Sequence, residues 1–156
     1  MSGLQYNTAL AIFYIFYFVI EVPSNIILRQ ISPRIWFTII TLSYGFIMTM
    51  QGLSKSYSGL LASRCFLGLA EGGLFPGVAW YFTTWYPRYE TGFRIAIFFS
   101  AAPFAGAIGG FLARGISLMD GVGGLHAWSW IFILEGLATI LVGIISYFFL
   151  VDSPAT

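Results

Sequence analysis

Charge is what this sequence has least of. Only 8% of its 156 residues are Asp, Glu, Lys or Arg, against about 25% in a soluble domain. A water-facing surface cannot be assembled from seven basic and six acidic side chains, which argues against a soluble enzyme. A net charge of +1 offers no basic patch for nucleic-acid phosphates. Cys65 stands alone, so no intrachain disulfide forms, and one histidine, His126, leaves no Cys/His metal cage. Neither Asn7 nor Asn25 opens an N-x-Ser/Thr acceptor, and no basic stretch precedes the first apolar run as in a secretory signal. What remains is apolar: 58% of residues are hydrophobic and 19% aromatic. The chain is read as dissolved in lipid, with room for about five or six crossings of about 20 residues each.

Five apolar stretches follow one another: 8–28, 35–53, 59–85, 93–114 and 128–151. In lipid every backbone N–H and C=O needs an internal partner, so each is expected to be a helix. The alternating ten-residue segments of a β-barrel are missing. The expected fold class is therefore all-α, with five transmembrane helices. Arg29 and Arg34 lie in the first link and Arg88 and Arg94 in the third, against Lys55 and Arg114 in the second and fourth. This bias places the first and third links on the cytoplasmic side, with Asp152-Ser153-Pro154, and the N-terminus outside. Trp36, Trp80, Trp85, Tyr86, Trp128 and Trp130 crowd the stretch ends, as in an aromatic belt. Pro23, Pro76 and Pro103 are expected to kink or locally unwind their helices. Ala102, Gly106 and Gly110, with Gly109 beside them, form a small-residue stripe expected to pack closely on a neighbour. That role needs no phosphate loop, and no cofactor is expected.

Glu21, Arg64, Glu71 and Glu135 interrupt the apolar stretches. Each costs about 2.5–3.5 kcal/mol at a helix centre on insertion scales, so such groups face a protein interior or an aqueous cavity. At 1.5 Å per residue, Glu71 lies about 18 Å into its helix, Glu135 about 12 Å and Arg64 about 8 Å, shallow enough for Arg64 to snorkel outward. Arg64 and Glu71 are seven residues apart on one helical face with Gly68 between them. Their axial separation of about 10 Å argues against a direct bond. A guanidinium fork matches a carboxylate, and a carboxyl group among apolar side chains can take up and release a proton. The pair suits proton-coupled handling of an organic anion. A purely structural polar network that fixes helix register accounts for the same residues. No Ser/His or paired-Asp arrangement sits at depth, so enzyme chemistry is not expected.

These residues carry a family resemblance. The run from Arg64 through Gly68 and Glu71 to Pro76-Gly77 resembles the fourth transmembrane helix of the anion:cation symporter family within the major facilitator superfamily. Glu21-Val22-Pro23-Ser24-Asn25 resembles the end of helix two in its fungal branch, that of allantoate permease and nicotinic acid transporters. Trp85-Tyr86-Pro87-Arg88, continued by Glu90, Gly92 and Arg94, is similar to the link between helices four and five, and Trp128 to Glu135-Gly136 to helix six. The resemblance implies that the five stretches are helices two to six of a twelve-helix fold, with helix one and the C-terminal half as missing partners. It implies a plasma-membrane symporter for a small organic anion and a proton. Arg64 and Gly68 would then be substrate-facing, Glu71 and Glu135 proton-coupling, and Glu21, Arg88, Glu90 and Arg94 gate or structural residues. The first link lacks the Gly-x-x-x-Asp pattern common elsewhere in the superfamily. The fourth helix lacks the Gly-Pro pair of drug antiporters, which disfavours multidrug export. The alternative is a truncated membrane protein with a structural or interaction role.

Overall fold

A computed structural model describes residues 2–152 as helices alone. They are α1 (Gly3–Leu28), α2 (Pro33–Leu53), α3 (Tyr57–Glu71), α4 (Leu74–Trp85), α5 (Arg88–Ser117) and α6 (Ala127–Phe149), with a 3₁₀ turn at Val122–Gly124. Local chemistry sets the starts. Ser2 and Gln5 form a reciprocal capping box at α1. Pro33, whose missing N–H costs nothing at a first helical position, opens α2. The Ser56 hydroxyl accepts from Gly59 N–H at 3.1 Å at α3, and Asp120 Oδ1 accepts from Ala127 N–H at 2.9 Å at α6.

Helices α1, α2, α5 and α6 are each long and apolar enough to cross a membrane. The expected single helix over 59–85 is divided, and α3 and α4 supply that crossing end to end. Pro76 explains the division, because its ring occupies the space of the carbonyl four residues back and brings no N–H to it. That carbonyl belongs to Gly72, and Gly72-Gly73 is where the helix yields. Both glycines keep right-handed helical angles (φ −59°, ψ −21° and φ −90°, ψ −5°), so the chain does not turn back. Pro23 and Pro103 sit inside uninterrupted helices. The segment 88–92, expected to be a link, is the first turn and more of α5, entered from Pro87 in extended conformation.

α2 forms its most extensive interface with α6, and α1 packs on α3. The α2–α6 seam is backbone against backbone: a Cβ on Gly45 would stand 2.8 Å from the Gly136 carbonyl, and one on Gly52 2.8 Å from that of Ser129. Gly45 and Gly52, like Ser129, Gly136 and Gly143, are buried and recur every seven residues, the spacing of a left-handed crossing. The stripe expected to pack closely does not. Nothing lies within 4 Å of a Cβ placed on Gly106, Gly109 or Gly110, and Thr91 alone is buried along the described α5. Sequence spacing identifies a smooth ridge; it does not say which ridge finds a partner.

Contacts between links divide the charges by end. Ser32 Oγ donates to Asp152 Oδ1, Arg34 Nε–H donates to the Tyr147 carbonyl, and Tyr81 O–H donates to the Val151 carbonyl at 3.0 Å. These tie the first link, the start of α2 and α4 to the end of α6. At the other end, Tyr57 O–H donates to the Gln5 carbonyl at 3.1 Å, joining the starts of α1 and α3. Arg29, Arg34, Arg88 and Arg94 thus gather at one end and Lys55 at the opposite one. Ser153 and Pro154, expected on the basic side, lie outside the described residues.

Candidate functional site

α3 carries Arg64, Gly68 and Glu71 on one face, and its close fit to α1 decides what each can reach. Gly68 is buried there, and a Cβ would stand 2.5 Å from the Phe13 carbonyl. Gly68, expected to face substrate, stands at the point where α3 and α1 touch. With that contact between them, Arg64 and Glu71 open into different spaces.

Arg64 lines a chamber of about 550 Å³ at the end away from the arginine cluster, between α1, the 54–56 turn, α3 and α6. Lys55, Tyr57, Gln51 and Trp128 also form its wall, and no acidic side chain does. Two cations without a counter-charge make it attractive to an anion. Its two serine hydroxyls are engaged locally: Ser54 Oγ donates to the Ser56 carbonyl, and Ser56 Oγ accepts from Gly59 N–H. Gln51 is fully buried with neither polar atom partnered, and Arg64 Nε is buried and unpartnered too. Gln51 was not among the residues expected to matter. Its only sequence signal is an amide beside the end of an apolar run, which reads as ordinary interfacial polarity.

Glu71 lines a second chamber, of about 570 Å³, between α1, α4 and α5, with Tyr17, Phe75, Phe99 and Ala102. Its surroundings are apolar and aromatic. Among the described residues no ion pair joins Glu71 to Arg64; the one charged contact within 4.0 Å is His126 with Asp120, in the loop before α6. Glu135, half-buried on α6, lines neither chamber. Glu21 is half-buried on α1.

Arg88, Glu90 and Arg94 stand apart, on the first two turns of α5 at the basic end. Arg88 is exposed and Glu90 half-buried, while the Arg94 guanidinium lies 3.6 Å from the Tyr86 ring centroid. Among the described residues no group of three or more His, Cys, Asp or Glu side chains is placed to hold a metal.

Comparison with known proteins agrees with this architecture. The sequence profile described as Major Facilitator Superfamily matches residues 1–156. The MFS-type transporter cnsO of Penicillium expansum is 43% identical over 154 residues, which cover 99% of this chain and 30% of that protein. A putative tartrate transporter of Agrobacterium vitis is 32% identical over 153 residues, covering 98% of this chain and 35% of its own length. Among solved structures, a bacterial homologue of the human lysosomal transporter Spinster, inward-facing and unoccupied, superposes with a TM-score of 0.73. It is 21% identical and covers 93% of this chain and 34% of that one, a likeness of fold. The chain spans about a third of the length of the relatives it matches. With five membrane crossings standing in the N-terminal half of that all-α fold, and a profile match along its whole length, the chain belongs to the Major Facilitator Superfamily.

Proposed function

We propose that this chain is the substrate-reading part of a proton-coupled symporter for a small organic anion. The observation that carries the reading is the Arg64 chamber, with two cations, no acid in its wall and an unpartnered guanidinium N–H. Arg64 presents a planar fork of donors to a carboxylate, and Lys55 adds charge without fixed geometry. Glu71, in its own apolar chamber, takes up and releases the coupling proton, with Glu135 as a second proton-coupling group. The two chambers separate anion from proton, so the groups do not neutralise each other at rest. Transport proceeds by alternating access, the two halves of a twelve-helix protein rocking about the site. Helix one and the C-terminal half complete the cavity, and Arg88, Glu90 and Arg94 act at its cytoplasmic gate in the plasma membrane. The relative named as a tartrate transporter agrees with a carboxylate substrate.

Uptake of labelled carboxylates into proteoliposomes tests this in the full-length protein that carries the chain. Arg64→Gln is expected to lower uptake at least tenfold. Glu71→Gln is expected to abolish acceleration by an imposed pH gradient while sparing exchange of substrate across the membrane. A second reading is a structural polar network that holds helix register: Gly68, between Arg64 and Glu71, seats α3 directly against the α1 backbone. Unchanged uptake in both variants would sink the first reading and leave the second.

A further inference from the structure

The two pieces of the third crossing are held by different neighbours. α3 fits α1 at Gly68, and again at Gly72, where a Cβ would stand 2.7 Å from the Tyr17 carbonyl. α4 is tied to α2. The Trp36 indole N–H donates to the Gly73 carbonyl at 3.3 Å, and a Cβ on Gly77 would stand 3.3 Å from that same nitrogen. Phe37, the next residue, meets the Tyr81 ring edge-on, with centroids 5.8 Å apart. Sequence position groups Trp36 with the interfacial aromatics; in the fold its half-buried ring lies against Gly73 and Gly77, where only glycine fits. The bond falls where α4 has little else to hold it. The Gly73 carbonyl receives the first helical N–H of α4, from Gly77, at 3.3 Å, which is long for such a bond. Pro76 brings no donor to the carbonyl before it. A carbonyl oxygen has a second lone pair, and the indole N–H occupies it.

This turn bears directly on Glu71. Glu71 ends α3, Leu74 and Phe75 open α4, and all three line one chamber. Phe75 rests against the Phe99 ring of α5, with centroids 5.2 Å apart. Among the described residues Tyr17 supplies the other polar group of that wall, and the rest is apolar. We infer that Trp36 is a positioning residue for the proton-coupling step. By holding the first turn of α4 to α2, it sets Leu74 and Phe75 over Glu71 and keeps bulk water from the carboxyl group. α2 is itself fitted backbone to backbone against α6, so the bond ties this wall to a closely packed pair. Tryptophan suits the task, because its one N–H donates and it brings no acceptor that would need a partner of its own. Without the N–H the wall opens, Glu71 exchanges its proton without waiting for substrate, and coupling slips. The inference rests on the reading of Glu71 as the proton-coupling group.

The test removes the donor and keeps the shape. Benzothienylalanine in place of Trp36 exchanges the indole N–H for sulfur, and Trp36→Phe removes it with part of the ring. In the full-length protein in proteoliposomes, proton flux and labelled tartrate flux are measured together, with hydrogen exchange at residues 74–77. Both replacements are expected to quicken that exchange about three- to tenfold, the weight of one hydrogen bond. They are also expected to lower the protons moved per tartrate about twofold or more, with the half-saturating tartrate concentration nearly unchanged. Both changes are required: parent-like exchange or a parent-like proton ratio in the sulfur analogue overturns the inference. A matching loss of tartrate affinity overturns it too, since that is the mark of packing alone. Glu71→Gln separates the two claims. If it abolishes proton flux while the Trp36 replacements leave the ratio intact, the inference fails and the proton reading stands. If the parent moves no proton with tartrate, or Glu71→Gln leaves that flux intact, the proton reading falls and takes this inference with it.

Discussion

The α2–α6 seam allows a quantitative test with a built-in control. Placing a methyl group on Gly136 sets a Cβ 2.7 Å from the Gly45 carbonyl oxygen and 2.7 Å from the Thr49 backbone nitrogen. Ordinary contact begins at 3.4 Å, so the two helices must part by about 0.7 Å. Forcing one extra carbon into a fitted interface costs about 1–3 kcal/mol. Helix association in lipid rests on such packing, so the loss is felt along the seam. Helix propensity acts the other way, favouring Ala over Gly by about 0.5–1 kcal/mol. The net expectation for Gly136→Ala is a loss of about 1–2 kcal/mol. Gly106→Ala in α5 meets nothing within 4 Å and keeps only the propensity gain. Unfolding in mixed micelles by a denaturing detergent, followed by circular dichroism, measures both. The reasoning fails if Gly136→Ala is as stable as the parent, or if Gly106→Ala costs as much.

Three other outcomes are expected. The 156-residue chain alone, reconstituted in proteoliposomes, is expected to show no proton-driven carboxylate uptake, because it spans about a third of the length of the transporters it matches; measurable uptake would remove the need for further helices. Pro76→Ala returns an amide donor to the Gly72 carbonyl, so α3 and α4 should fuse, with slowed hydrogen exchange at residues 73–77. Unchanged exchange would assign the division to Gly72-Gly73 and not to the proline. Arg34→Ala removes a hydrogen bond to the Tyr147 carbonyl and a cation–π contact 4.2 Å from its ring centroid. A loss of about 1–2 kcal/mol and faster proteolysis near Val151 are expected; an unaltered cleavage rate would show that Tyr81 and Ser32 hold that segment without Arg34.

The fold was legible wherever one physical constraint dominated. Scarce charge and long apolar runs dictate helices in lipid, and the arginine count sorts the links as the Arg34–Tyr147 and Ser32–Asp152 contacts do. Partner identity was not legible. Ala102, Gly106 and Gly110 match a packing pattern as well as Gly45 and Gly136 do, yet only the latter meet a backbone. The seven-residue recurrence in two helices at once was the usable signal, and it emerges only when both are compared. The division at Gly72-Gly73 was half visible, since Pro76 announces a disturbance without saying whether the helix bends or breaks. At the site, charge at depth drew attention to Arg64 and Glu71, but one sequence face does not mean one cavity, because the contact of Gly68 with α1 comes between them. Gln51 escaped because a lone amide acquires meaning from what surrounds it.

The glycine seam also bears on how such a protein moves. Two rows of small residues matched at the same interval work like a rack and its key. Sliding either helix by one turn would drive Ile133 or Ile140 into positions that accept only hydrogen atoms. Shear along this interface is therefore blocked, and α2 and α6 must travel as one piece. Within this chain, the freedom to flex is left to the divided third crossing and to α5, along which Thr91 alone is buried among the described residues.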